Sequence, residues 1–140
     1  TFRRLAEKAL AALAPWFPAM SAPWTRHAAF PGGDLRGEPF DQFADFHVQR
    51  DSPWLPADVR RALARRHGAL VYEVLGESAK LSDLGEHFGV ELYAREIDYF
   101  VEREWARTAD DVLWRRTKAG LHLSSSQRAA VARYIERRVS

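Results

Sequence analysis

The chain has 140 residues, and its 21 lysines and arginines against 19 aspartates and glutamates leave a net charge of only +2. This length fits one domain, or one domain with part of another, and the near balance of charge argues against a dedicated nucleic-acid-binding protein. The sequence contains no cysteine, which excludes disulfides, thiolate metal sites and a cysteine nucleophile from these residues.

No stretch of the sequence is long and apolar enough to cross a membrane. The longest uncharged run, residues 9–25, contains three prolines and is shorter than the roughly 20 residues that a spanning helix needs. We therefore expect a soluble chain without a transmembrane segment. Because the sequence begins with Thr1 and not with methionine, we also expect a piece of a longer protein.

The N-terminal region is predicted to form one helix followed by an extended strap. Apolar residues recur at helical spacing from Phe2 to Leu13, Thr1 is the expected N-cap, and Pro15 ends the pattern. The strap that follows is rich in proline and aromatic residues, so we expect it to pack on a surface. It ends in a turn at residues 31–34, where we place a domain boundary.

Two helices are predicted in the middle of the chain. One begins at Phe40 and stops at Asp51-Ser52-Pro53; the other follows Pro56 and ends at Gly68. In the second helix, three apolar residues should face the core: Val59, Ala62 and Leu63. Four arginines should face water: Arg60, Arg61, Arg65 and Arg66. Next, residues 69–75 fit a strand or a helix equally well, and 81–89 indicate a loop.

The last third of the chain is predicted to contain three helices. Apolar residues at helical spacing predict one helix, with these core positions: Tyr93, Ile97, Phe100, Val101 and Trp105. Thr108 with Asp111, and Ser124 with Gln127, have the spacing of capping boxes that begin two more helices. Gly120 is the expected residue just past the end of the first of them. The core positions of these helices are Val112, Leu113, Val131, Tyr134 and Ile135.

The residue types that perform chemistry are scattered in this sequence. No two of the five histidines form a metal-binding pair, so we expect ordinary surface or partly buried side chains at His27, His47, His67, His87 and His122. The serines at 124–126 lack the glycines of a nucleophile elbow and are interpreted as helix caps. Neither phosphate-binding glycine motif is present around Gly32-Gly33.

Two arginines near the end of the Thr108 helix allow alternative interpretations. Arg115 and Arg116 could bind a phosphate or DNA, or they could pair with acids of the preceding helix, most plausibly Glu102 or Glu104. We favour the pairing because the acids are close in sequence. A nucleic-acid-binding or protein-interaction module built on residues 108–139 stays an alternative from another functional class.

Several segments together resemble the C-terminal domain of aerobic, FAD-dependent glycerol-3-phosphate dehydrogenases. Thr1 to Leu10 resembles the end of a Gly-Gly-Lys-x-Thr-Thr-Tyr/Phe-Arg segment of that family. The other matching segments are Trp24-Thr25, Phe30-Pro31-Gly32-Gly33, residues 81–89, residues 96–105 and residues 108–120. The Asp-Asp-x-Leu-Trp-Arg-Arg-Thr-Lys-x-Gly block is the most specific of them, and the resemblance covers nearly the whole chain.

This resemblance implies an all-α fold and a division of the chain into two regions. Residues 1–34 would be the C-terminal remnant of an FAD-binding domain, comprising its last helix and the strap. Residues 35–140 would form a compact helical cap domain. Thr1 would be the only cofactor-binding residue, while catalytic and metal-binding residues are not expected in this region. The upstream FAD domain of the same chain would be its partner, and homo-oligomer formation is left open.

The resemblance also implies the activity of the parent enzyme. The parent would oxidise sn-glycerol 3-phosphate to dihydroxyacetone phosphate, with FAD as hydride acceptor and a membrane quinone as final acceptor. A glycerophosphate oxidase that uses oxygen is the alternative within the family. The parent would be cytoplasmic and peripherally bound to the inner face of the membrane. This region alone should be inactive, without FAD and without nucleic acid as a ligand.

Overall fold

The computed structural model describes residues 1–139, which divide into two compact units. The first unit runs from Thr1 to Phe30, and the second begins at Pro31. The turn at residues 31–34 predicts a boundary after Asp34, a few residues beyond this division. The two units are described separately below.

The first unit consists of one helix and an irregular segment. Helix α1 (Phe2–Leu13) is followed by a 3-10 turn (Ala14–Trp16) that contains the predicted terminator Pro15. Thr1 occupies the N-cap position as predicted, but its side chain makes no capping hydrogen bond. The rest of the unit contains turns and no regular element.

The second unit is mainly helical, which confirms the predicted all-α class. Its helical elements, in chain order, are α2 (Phe40–Gln42), a π-helical segment (Phe43–Val48), α3 (Gln49–Asp51), α4 (Ala57–His67), α5 (Val71–Leu75), α6 (Ala94–Arg103), a second π-helical segment (Asp111–Arg116) and α7 (Ser125–Val139). Short 3-10 turns lie at Gly68–Leu70, Leu81–Leu84 and Ala119–Leu121. The ambiguous run 69–75 is therefore helical.

A small antiparallel hairpin begins at the end of the predicted loop 81–89 and extends to Tyr93, which the sequence predicts to lie in the next helix. Strands β1 (His87–Gly89) and β2 (Leu92–Tyr93) pair His87 with Tyr93, whose rings stack at 4.5 Å between centroids. Val90 and Glu91 form the turn with φ values of 46° and 55°. Such backbone angles usually select glycine or asparagine, so this turn carries no sequence signal for a hairpin.

The core of the second unit is apolar and is formed by residues from most of its elements. The predicted inward positions Val59 and Leu63 on α4 and Val112 and Leu113 on the second π-helical segment are all buried. Most of the other predicted core residues are buried as well: Ile97, Phe100, Val131 and Ile135. Aromatic rings contribute through Phe43, Phe88 and Tyr99, so the core is rich in aromatic side chains as well as aliphatic ones.

Two predictions near the second π-helical segment are wrong. Trp105 is 80% exposed and is no core residue, because α6 ends at Arg103 and the backbone then turns. Gly120 does not follow a helix end; it lies within a 3-10 turn, and Thr117 is the C-cap. The ring of Trp114 covers Gly120, and a Cβ added there would lie 2.6 Å from a ring carbon. Gly120 is thus required for close packing.

The prediction that four arginines of α4 face water is wrong for two of them. Arg60 is only 5% exposed and donates from Nη1 to the Leu55 carbonyl at 3.4 Å and from Nη2 to Asp45 at 3.3 Å. Arg66 is also partly buried, through contacts described below. Arg61 and Arg65 are exposed, as predicted.

Candidate functional site

The predicted cofactor-contacting residue, Thr1, lies at the exposed start of α1. No acidic side chain lies in the first turn of this helix, while Arg3 and Arg4 lie two and three residues after Thr1. Free backbone N–H groups and nearby cations suit an anionic group.

An open cleft lies between α1 and the irregular segment of the first unit. Its volume is about 340 Å³, and Leu10, Met20 and Trp24 contribute to its lining. One side is closed by Glu7, whose carboxylate accepts a hydrogen bond of 2.7 Å from the hydroxyl of Thr25. This hydrogen bond, together with Arg3, holds the pKa of Glu7 below its usual value. The carboxylate fastens the segment to the helix.

The surface of the first unit is unusually apolar for its size. None of the residues of α1 is buried within the unit. The large apolar side chains that remain exposed are Phe2, Leu5, Leu10, Leu13, Trp16, Phe17, Met20, Trp24 and Phe30. An exposed apolar surface of this kind marks a contact with another protein surface or a lipid. The strap is predicted to pack on a surface, and these exposed side chains are the ones that would make that contact.

A buried charged network joins three elements of the second unit. Glu96 on α6 is 1% exposed, and both of its carboxylate oxygens accept hydrogen bonds from Arg66 on α4, at 2.6 and 2.8 Å. The Nε2 atom of His67 lies 2.7 Å from the same carboxylate. Arg66 also donates to the carbonyl of Glu91 in the hairpin turn, at 2.8 Å. The network therefore cross-links α4, α6 and the hairpin.

The expectation that His67 is a surface or partly buried residue is wrong. The residue is 6% exposed, and its ring lies against Tyr99 and Phe100, with centroid distances of 5.4 and 5.3 Å. The adjacent arginine and glutamate supply its polar contacts. The buried Glu96 carboxylate is paired with residues of α4. Moving α4 away from α6 would leave this charge buried without a partner, which is costly, so the network fixes the relative position of the two helices.

The capping box predicted at the start of the last helical pair is confirmed. The backbone N–H of Asp111 donates to the Thr108 hydroxyl at 3.3 Å, and the Thr108 N–H donates to the Asp111 carboxylate at 2.9 Å. The Arg107 N–H donates to that carboxylate as well, at 3.0 Å. The hydrogen bonds from Arg107 and Thr108 hold the pKa of Asp111 well below its usual value. The second box, Ser124 with Gln127, is also formed.

The predicted pairing of Arg116 with an acid of the preceding helix is confirmed. Its guanidinium lies 3.6 Å from the carboxylate of Glu104 and donates to the Glu104 backbone carbonyl at 3.1 Å. Arg115 pairs within its own segment, with Asp111 at 2.7 Å. Both guanidinium groups therefore have intramolecular acceptors, as expected for residues that hold helices together.

The packing of α7 on α6 uses a third polar cluster. Tyr134 donates to Asp98 at 2.9 Å, and Arg138 donates to the same carboxylate at 2.7 Å. Burial of the Tyr134 ring, with the hydrogen bond to Asp98, raises the pKa of the phenol to about 12. The acid therefore accepts from both groups across the physiological pH range.

The described residues offer neither a metal-binding cluster nor a membrane-spanning helix. Residues 1–139 contain no group of three or more histidines, aspartates, glutamates or cysteines placed to hold a metal ion. None of the helices described for these residues combines the length and the apolar character needed to cross a membrane. Glu96 and Asp98 accept hydrogen bonds from arginines of other helices, and Asp111 accepts from the backbone N–H groups just before its own segment.

These features define a helical domain whose charged clusters fasten its elements together, and an apolar N-terminal unit precedes it in the chain. Comparison with known families places it more closely. The family model for the C-terminal domain of alpha-glycerophosphate oxidase matches residues 23–137, most of the chain. The chain belongs to this family, which confirms the resemblance seen in the sequence.

Characterised proteins that are similar to the chain oxidise polyol phosphates, according to their names. Aerobic glycerol-3-phosphate dehydrogenase of Escherichia coli is 40% identical over 135 residues, which are 96% of this chain and 26% of that protein. D-erythritol 1-phosphate dehydrogenase of Brucella abortus is 39% identical over 137 residues, 97% of this chain and 27% of that protein. Glycerol-3-phosphate dehydrogenase of Pseudomonas aeruginosa is 40% identical over 136 residues, 97% and 26% respectively. The chain spans about a quarter of these relatives.

Proposed function

We propose that this chain is the C-terminal region of an FAD-dependent glycerol-3-phosphate dehydrogenase. The complete enzyme would oxidise sn-glycerol 3-phosphate to dihydroxyacetone phosphate and pass the electrons to a quinone. The observation that carries this proposal is the 40% identity to two glycerol-3-phosphate dehydrogenases over nearly the whole chain. The parent would work in the cytoplasm, associated peripherally with the inner face of the membrane.

The role we propose for residues 35–140 is that of a helical cap that supports the enzyme without performing chemistry. Residues 1–34 would be the end of the FAD-binding domain. The family model begins at residue 23, which supports this assignment for α1, whereas residues 23–34 fall within the matched C-terminal domain. The assignment is also supported by the exposed apolar side chains of the first unit, which an FAD-binding domain would cover.

The contact that we propose with FAD is limited to Thr1. Its side chain is free of the capping hydrogen bond that an N-cap threonine usually makes. The hydroxyl is therefore free to donate to, or accept from, a cofactor at the start of α1. When bound, FAD supplies the hydride acceptor of the reaction. The dinucleotide-binding glycine motif that seats the pyrophosphate is absent from this sequence.

A second substrate candidate is D-erythritol 1-phosphate. The dehydrogenase that carries this name is 39% identical over 97% of the chain, nearly the same as the glycerol-3-phosphate dehydrogenases. Both names describe a phosphorylated polyol. The similarity therefore supports a polyol phosphate as the substrate class, but it does not distinguish the three-carbon substrate from the four-carbon one. The two candidates have to be compared directly.

The test is a kinetic comparison on the purified complete protein. We expect bound FAD, and a kcat/KM for sn-glycerol 3-phosphate that exceeds the value for D-erythritol 1-phosphate. Reduction of a soluble quinone analogue and consumption of oxygen, measured separately, distinguish a dehydrogenase from an oxidase. A protein that carries no flavin, or that oxidises neither polyol phosphate, would contradict the proposal; a preference for the erythritol ester would establish the second candidate.

A further inference from the structure

Trp105 has an unusual conformation for a bulky residue. Helix α6 ends at Arg103, and Trp105 follows two residues later with φ of +57° and 80% of its surface exposed. The left-handed region is unfavourable for residues with a Cβ, by roughly 1–2 kcal/mol. Glycine is the usual residue at such a position after a helix. Tryptophan at this position is therefore less favourable for the backbone than glycine would be.

The backbone on both sides of Trp105 is held firmly. The N–H of Ala106 donates to the carbonyl of Phe100 at 2.9 Å, and Ala106 itself is completely buried. On the other side, Arg116 donates to the carbonyl of Glu104. These anchors leave the indole directed away from the core of the second unit. The strained turn thus presents an aromatic ring on a rigid support, which is the arrangement of a binding anchor.

Two arginines lie close to Trp105 in the sequence, two residues before it and two residues after it. Arg103 and Arg107 are both exposed, and their guanidinium groups make no hydrogen bond or ion pair with the described residues. Arg115 and Arg116, by contrast, are paired with acids. An exposed tryptophan with an exposed arginine two residues away on each side in sequence fits a surface that has an apolar pocket and oxygen acceptors around it.

We propose that Trp105 is an interdomain anchor that inserts into a pocket of the upstream FAD-binding domain of the same polypeptide. This proposal rests on the proposed function. The relatives are about four times as long as this chain, so most of the protein surface available to the second unit belongs to the same polypeptide. Arg103 and Arg107 would pair with carboxylates or helix-end carbonyls at the rim of that pocket.

The test places a photoreactive group at this position in the complete protein. Trp105 is replaced by p-benzoylphenylalanine, which retains an aromatic ring and a Cβ, and the purified protein is irradiated. Mass spectrometry should find cross-links from this position to residues upstream of the present chain within the same polypeptide. The matched control has the same group in place of Arg133, an exposed residue of α7, and should give no such product.

Hydrogen exchange on variants of the complete protein supplies a second measurement. Trp105→Ala should raise exchange at the cross-linked upstream segment by about tenfold, the scale for loss of an aromatic anchor. Trp105→Phe should change it by about twofold or less, because the ring is retained. The inference would be overturned if position 105 cross-linked to a second copy of the protein or to lipid, or if it gave no cross-link. Equal yields of the upstream product from positions 105 and 133 would overturn it as well. Flavin content and polyol phosphate oxidation of the unmodified protein test the proposed function independently.

Discussion

Gly32 and Gly68 meet backbone to backbone in the second unit. The N–H of Ala69 donates to the Gly32 carbonyl at 2.8 Å, and a Cβ on Gly68 would overlap that carbonyl. A Cβ on Gly32 would overlap the carbonyl of His67 in the same way. The loop that follows the strap therefore docks on the end of α4 through two residues that have no side chains.

Replacing Gly68 with alanine should destabilise the chain strongly. Both the left-handed backbone (φ of +57°) and the contact with Gly32 oppose a Cβ, and together we expect a loss of about 3 kcal/mol. Gly37→Ala is the matched control, because its φ is +78° with no atom within 4 Å of an added Cβ. It should lose only about 1 kcal/mol, for strain alone. Urea unfolding measures both; equal losses would show that the contact contributes nothing.

Removing the charge of Glu96 should be severely destabilising. Glu96→Gln keeps the size of the side chain but leaves Arg66 without its carboxylate inside the protein, which costs about 3 kcal/mol or more. The control is Glu102→Gln, since that carboxylate is half exposed and lies 3.5 Å from Arg138. An exposed pair contributes at most about 1 kcal/mol. Similar unfolding midpoints for the two variants would contradict a structural role of the buried network.

The elements that the sequence predicts correctly are held by interactions between residues that are close together in the sequence. Each capping box joins residues three apart, so the pattern Thr108 to Asp111 contains the whole interaction. The arginines of α4 are different. Asp45 lies 15 residues from Arg60, and Glu96 lies 30 residues from Arg66. A local hydrophobic pattern contains no information about such partners, and it therefore assigns both arginines to the solvent.

The errors at the end of α6 and in the hairpin have a related cause. Trp105 continues the apolar spacing of the helix, and neither glycine nor proline marks the turn that removes it from the core. The hairpin turn likewise uses Val90 and Glu91, where asparagine and glycine are the expected signal. In both places the tertiary contacts hold a backbone conformation that the residues themselves disfavour. For the site, the sequence offers only Thr1, because an FAD-binding pocket would be formed chiefly by residues outside this chain.

Thr108→Ala should lower the free energy of unfolding by about 1 kcal/mol, the usual effect of losing an N-cap. The variant loses the acceptor for the Asp111 N–H and the hydrogen bond from the Thr108 hydroxyl to the Asp111 carboxylate. Ser82→Ala serves as the control, because the exposed Ser82 side chain makes no hydrogen bond to the described residues. Chemical denaturation followed by circular dichroism measures both. An unchanged midpoint for Thr108→Ala would mean that the helix does not depend on this cap.

The stability contributed by the Asp111 carboxylate should depend on pH. Its pKa is lowered in the folded state, so the unfolded state binds the proton more readily. The contribution is complete above the ordinary value of 3.8 and is lost as the pH falls towards the lower folded pKa. Asp111→Asn should therefore differ most from the unchanged protein at about pH 6, and the difference should shrink below about pH 4. The control is Asp110→Asn, whose exposed carboxylate has no partner among the described residues; a difference independent of pH would contradict the assignment.

The chain by itself should neither retain FAD nor oxidise glycerol 3-phosphate. The contact that we assign to Thr1 has a net worth of about 1 kcal/mol, whereas nanomolar binding requires roughly 12 kcal/mol. Hydride transfer also requires the flavin and the substrate to be held together with a base in reach, whereas the central acids of the described clusters already bind arginines or backbone N–H groups.

Gel filtration after incubation with FAD tests this expectation directly. We expect colourless protein from the isolated chain and flavin-containing protein from the complete polypeptide, which is the control for intact cofactor and buffer. Thr1→Ala in the complete polypeptide should weaken FAD retention by a factor of about five, corresponding to the loss of one hydrogen bond of about 1 kcal/mol. Stoichiometric flavin on the isolated chain, or dye reduction with glycerol 3-phosphate, would show that the binding site lies within these residues and that the proposed supporting role is wrong.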